Sequence, residues 1–263
     1  MGKTKTQSAR RAPAGGGELG YLLALTDGTV FTYGSLEFQG DAADSLLGQP
    51  IVGAATTADG YWLCAGDGSV LTFGAARFFG AANSTPLEAP VVAMAVTPDA
   101  KGYWLAAADG ALHCFGSAED YGSARSYPLE RPVVGFAPTQ TGEGYYFVTA
   151  DGSVYDFGDA AYDGCLRDEA LAAPAVGIAV SGSTDGYWIA TADGVLRAFG
   201  TAPELSGGPA RGEVVGLAPT PGAKGCLLAG RDGSVTALGD AVSLGDATER
   251  LGPAGVTAVA CAA

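Results

Sequence analysis

A single histidine, two methionines and only 14 lysines and arginines stand among 263 residues. The lone imidazole, His113, has no second histidine with which to share a metal or relay a proton, and reads as a packed or half-exposed strand residue. Against 28 aspartates and glutamates the scarce cations leave a formal charge of −14. That balance speaks against nucleic acid on the body of the chain, because phosphate binding needs clustered Lys and Arg. No apolar run reaches the roughly 18 residues of a membrane-spanning helix, and the N-terminus lacks the apolar stretch and small-residue cleavage site of a secretory signal. These shortages predict no membrane span and a place in the cytoplasm or in an assembled particle. Cys64, Cys114, Cys165, Cys226 and Cys261 are odd in number and form no CxxC pair, so they predict buried free thiols, with no disulfide framework and no metal site. A GxSxG elbow is missing, and Ser69, Ser153 and Ser234, each just after an Asp-Gly pair, have no histidine partner for hydrolase chemistry.

Glycine, by contrast, is abundant at 42 residues, more than twice an average share of about 7%. From Gly20 onward the glycines fall into columns. Asp-Gly recurs at Asp27, Asp67, Asp109, Asp151, Asp193 and Asp232, at intervals of 40, 42, 42, 42 and 39. A fixed period of this size means stacked supersecondary units. Seven residues before each aspartate stands another glycine (Gly20, Gly60, Gly102, Gly144, Gly186, Gly225), opening an apolar run too short for a helix. After each Asp-Gly a second short strand ends in Tyr33, Phe73, Phe115, Phe157, Phe199 or Leu238 plus glycine. Two strands joined through Asp-Gly predict a hairpin with a primed turn, for which Gly supplies φ > 0 and Asp tolerates it. A third segment, such as ARFFG, ends at Gly40, Gly80, Gly122, Gly164, Gly207 and Gly245 and reads as an outer strand.

A fourth segment carries one invariant column, Ala55, Ala95, Ala137, Ala179, Ala218 and Ala260, and two residues earlier a column of Gly53, Ala93, Gly135, Gly177, Gly216 and Ala258. Small side chains on one strand face, repeated in register, suit the place where several sheets converge on an axis. The pattern predicts an all-β fold, a six-bladed β-propeller of four-stranded antiparallel blades, with the C-terminal strand at 256–262 completing the first blade. Residues 20–263 form that propeller. Residues 1–19 form a flexible, basic, Gly-rich N-terminal arm, in which Lys3, Lys5, Arg10 and Arg11 face Glu18 alone. The arm at +3 precedes a body at −17, with 10 basic and 27 acidic residues. Such asymmetry marks the four cations as candidate contacts to an acidic partner, the body itself or a neighbouring copy.

The segments DGYWLCAGDGSVLTFGAARFFGAA at 59–82 and KGYWLAAADGALHCFGSA at 101–118 resemble the GYWL/DGG/FGDA repeats of many actinobacterial proteins. The resemblance covers the chain after the arm and implies a propeller. It also implies an exported or surface protein, and brings no catalytic set. Leu22, Tyr146 and Leu227 stand where the best copies have Trp.

Three classes of function remain to be weighed. Trp62, Trp104 and Trp188 recur at one position; such rings either pack between neighbouring blades or, in a carbohydrate-binding propeller, stack on a sugar face. A propeller glycosidase needs two carboxylates at a defined separation. Six aspartates are taken by the hairpins, and Asp59, Asp99 and Asp185 fit turns. Glu119, Asp120, Asp156, Asp159 and Asp163 are scattered through outer segments. Met1, Gly2 and Thr6 fit a short acylation pattern that chance supplies often. The expectation is a non-catalytic binding or structural module without metal or cofactor. It is a rigid platform for a protein partner or neighbouring subunits, tethered by the arm, with a glycan as the alternative ligand.

Overall fold

The computed structural model describes residues 19–84, 86–182 and 186–262, and the candidate cations Lys3, Lys5, Arg10 and Arg11 lie outside them. Strands, numbered in chain order, form six three-stranded antiparallel sheets. The first joins both ends of the described chain: β18 (Val256–Ala262), β1 (Gly20–Leu25) and β2 (Val30–Gly34). The next two are β3 (Ile51–Thr57), β4 (Gly60–Ala65) and β5 (Val70–Gly74), then β6 (Val91–Val96), β7 (Gly102–Ala107) and β8 (Leu112–Gly116). The fourth is β9 (Val133–Pro138), β10 (Gly144–Thr149) and β11 (Val154–Gly158). β12 (Ala175–Val180), β13 (Gly186–Thr191) and β14 (Leu196–Gly200) make the fifth, and β15 (Val214–Pro219), β16 (Gly225–Gly230) and β17 (Val235–Gly239) the sixth.

Every middle strand is buried along its whole length, which explains why these strands read as unbroken apolar runs instead of alternating ones. Both of their faces are covered by neighbouring sheets. The leading strands touch in the order β18, β3, β6, β9, β12, β15 and back to β18. Their small columns allow this approach. A Cβ on Gly135 would lie 2.8 Å from the Cα of Gly177. The crowding is uneven, since a Cβ on Gly216 meets nothing nearer than Val259 at 3.6 Å.

The hairpins form where Asp-Gly predicts them, with a different turn. Gly68 donates to the Ala65 carbonyl and Ala65 to that of Ser69, and only the glycine takes a positive φ, 82°. This is a type I turn closed by a glycine bulge, not a primed turn. Asp67 stays at negative φ because its Oδ1 accepts the Ser69 N–H at 2.9 Å, a bond that holds the turn from the side chain.

The expected outer strand is absent among the described residues: each sheet has three strands, not four. The segment after the third strand is a strap that leaves its own sheet and reaches the next. It starts beside its own middle strand, where Trp62 Nε1 donates to the Arg77 carbonyl at 2.8 Å. It ends under the following sheet, where Tyr103 donates to Gly80 O at 2.5 Å and accepts from Phe79 N and Gly80 N, both at 3.1 Å. A segment that crosses between sheets cannot pair along the length of either.

Candidate functional site

Trp62, Trp104 and Trp188 lie inside the molecule at 0–1% exposure. Each indole donates to a carbonyl fifteen residues on, at Arg77, Glu119 and Pro203, each at 2.8 Å. Neither a ring face nor a free N–H is left for a sugar, and the packed alternative describes these residues. The tyrosine column one residue ahead recurs in the sequence beside Trp62, Trp104 and Trp188, and before Leu22 and Tyr146, but sequence reasoning missed its role. Tyr21, Tyr61, Tyr103, Tyr145 and Tyr187 donate to Gly245, Gly40, Gly80, Gly122 and Gly164 of the preceding strap. Burial is the main cause that raises their hydroxyl pKa values, to about 12 for Tyr61. The signal was present as two columns, tyrosine and strap glycine, 21 to 23 residues apart along the chain. Where the tyrosine column holds Cys226, the strap is held by backbone instead: Gly239 N donates to Ser206 O at 2.9 Å and Gly207 bridges Leu238.

Carboxylates of the scattered set, and others such as Asp99 and Asp240, hold loops. Asp159 accepts from Thr139 Oγ1 at 2.8 Å and Thr141 Oγ1 at 2.5 Å. Asp240 accepts from Thr220, and Asp120 from the Gly122 N–H and the Tyr145 hydroxyl. Asp99 accepts from Thr97 Oγ1, Lys101 N and Ser117 Oγ, which hold its carboxyl down at about 2. Glu119 accepts from Tyr121. His113 is half-buried on β8. Cys64 and Cys226 are buried and Cys114, Cys165 and Cys261 half-buried, all unbridged, and burial pushes the Cys64 thiol up to about 12. Among the described residues no three His, Cys, Asp or Glu side chains group as metal ligands, and no helix is long and apolar enough to cross a membrane.

One concavity belongs to the fourth sheet. A groove of about 410 Å³ straddles edge strand β11 and is lined by Tyr127, Tyr155, Tyr162, Asp156, Arg167 and Asp168 among others. Tyr127 caps the short 3-10 turn at Ala124–Ser126, and its ring lies 5.4 Å from that of Tyr155. It remains 51% exposed, and Tyr162 55%. A hydrogen bond with Cys165 and burial push the Tyr162 hydroxyl up to about 12, with Asp168 and Asp156 adding to the shift. Arg167 is engaged by Glu130.

No family model and no curated protein matches the sequence. Solved structures do. "Structure of U3-55K" is similar at a TM-score of 0.55 and 16% identity, over 73% of this chain and 62% of that one. The Cps50 (Swd1) beta-propeller domain of Myceliophteria thermophila gives 0.48 and 10%, over 79% and 75%. This chain has an all-β, propeller-type fold. At these identities the likeness extends to architecture alone. The straps follow the edge strand of each sheet that lies away from the leading strand, and they carry exposed rings: Phe38 at 45% and Phe78 at 59% occupy the strap position that Tyr162 holds in the fourth sheet.

Proposed function

We propose that residues 20–263 form a closed six-bladed propeller that serves as a non-catalytic, rigid platform for protein partners, with residues 1–19 as a tether. Closure is supported by the pairing of β18 with β1 and by the return of the leading-strand contacts from β15 to β18. Tyr21 adds to it by gripping the strap at Gly245, 224 residues away. The observation that carries the functional reading is where the polar groups go. The tryptophan N–H groups, the strap tyrosines and the carboxylates of Glu119, Asp120 and Asp159 bond within the fold. What the surface offers is large exposed rings on the straps, and exposed apolar rings on a rigid frame are the means of protein association. Similarity to other propeller domains in fold supports this role for the chain. The GYWL/DGG/FGDA resemblance extends it to a repeat family.

The test is stoichiometric capture of a native partner by the full chain, compared with Phe38→Ser and Phe78→Ser. Loss of capture by variants with an unchanged melting temperature is the expected result. Undiminished capture moves the interface off the straps. Hydrolysis of a glycoside by the full chain would overturn the non-catalytic reading.

A further inference from the structure

The fourth-sheet groove combines three tyrosine rings with two carboxylates, Asp156 and Asp168, that form no salt bridge among the described residues. Tyr127, Tyr155 and Tyr162 present ring faces and hydroxyls, and Asp156 and Asp168 are exposed at its wall. The one cation, Arg167, is already matched by Glu130. Tyrosine faces together with unbalanced carboxylates select a cationic side chain, which gains from the ring quadrupole and from the charge at once. Val154, Tyr155 and Asp156 of β11, an edge strand, line the groove, so the natural occupant is an extended segment. This chain supplies a segment with that charge: Lys3, Lys5, Arg10 and Arg11, interleaved with Thr, Gln and Ser and followed by a run of Ala, Pro and Gly.

We infer that the groove of Tyr127, Tyr155, Tyr162, Asp156 and Asp168 is the receptor for the basic N-terminal arm of a second copy of this chain. The proposal rests on the platform-and-tether reading and names the tether's socket. The topology argues for a second copy over the same one. The arm enters at Leu19, beside the first sheet, and in the circuit of leading strands two sheets separate that sheet from the fourth in either direction. Its entry is also at the opposite end of the strands. Leu19 O receives the Ser35 N–H just beyond β2, while the groove opens near Ser153, at the hairpin end of β11. A contact between two different surfaces is heterologous, so a joined pair keeps one free arm on one copy and one free groove on the other, and the assembly propagates as a ring or a filament.

Sedimentation of the full chain tests this with two variants, one in each half of the contact. The groove variant carries Tyr127→Ser and Tyr162→Ser, both at exposed positions; the arm variant carries Lys3→Ala, Lys5→Ala, Arg10→Ala and Arg11→Ala. The wild type is expected to self-associate with rising concentration and to dissociate in high salt. Each variant alone is expected to associate at least roughly tenfold more weakly. An equimolar mixture of the two is expected to stop at a one-to-one complex, because only one intact arm meets one intact groove. A wild type that stays monomeric, an arm variant that associates like the wild type, or a mixture that gains nothing over its components each overturns the proposal. A monomeric wild type that still captures its partner through Phe38 and Phe78 leaves the platform reading standing, so the two failures are distinct.

Discussion

At the scale of single residues, the strap tyrosines carry much of the coupling between sheets. Tyr103 uses its hydroxyl three times, accepting from Phe79 N and Gly80 N and donating to Gly80 O. Phenylalanine keeps the ring and removes all three bonds, leaving backbone groups of the strap without this partner. Tyr103→Phe is expected to cost about 2 kcal/mol, within the range for partly buried polar groups that lose a partner. The urea midpoint should fall with unchanged slope. A midpoint equal to the wild type's would show that the strap is held by packing alone. The tryptophans, one residue on, look like ligand-binding rings in the sequence because a recurrent aromatic carries no mark of which way it faces. Tyr61 and Trp62 are adjacent and point to opposite faces of β4, and both faces are interior.

At the scale of elements, the period, the three strands of each unit, the hairpins and the pairing of 256–262 with β1 were legible, because each rests on local pattern: a short apolar run, a turn glycine, a small-residue column. The fourth strand was not legible. A segment such as ARFFG has the composition of a strand, and only the tertiary course shows that it crosses from one sheet to the next. The hydrogen-bonding partner of a rim segment is a long-range fact that strand propensity does not contain. The groove at β11 was hidden for a related reason: Tyr127, Tyr155 and Tyr162 occupy no shared column and meet only when the loop after β8 folds against β11. The small column makes a graded prediction. Gly135→Val puts new carbon within 2.8 Å of Gly177 Cα and 2.9 Å of Val148 Cγ1, and is expected to cost about 3 kcal/mol by overpacking. Gly216→Ala, with 3.6 Å to its nearest neighbour, is expected to change stability by less than about 1 kcal/mol. Equal melting temperatures for the two variants would contradict the uneven crowding at the centre.

At the scale of the whole molecule, the repeated burial of phenols and thiols sets the response to base. Tyr33 and Tyr61 are raised to about 12, as are Cys64 and Cys261, by burial first. Unfolded tyrosine ionises near pH 10. Unfolded thiols ionise lower, near pH 8.5, so from about that value upward the unfolded chain loses protons that the folded chain retains; the stabilisation is complete below about pH 8.5 and falls as pH rises through about 12. Tyrosinate absorbance and circular dichroism are expected to change together in one alkaline transition across that window. The greater part of the tyrosinate signal appearing near pH 10 with the far-ultraviolet signal intact would mean that the buried phenols are not held by the fold.

The join at Cys226 has a mechanical meaning. Five seams are stitched by a phenol reaching across, whereas the seam between the fifth and sixth sheets is fastened main chain to main chain, through Ser206 and Gly239 and the bridge from Gly207 to Leu238. Backbone fastening does not depend on a rotamer, but it demands that a neighbouring chain segment stay in place. This wedge is therefore the sector whose rim tolerates the least rearrangement, and any partner that inserts there must compete with the molecule's own peptide groups.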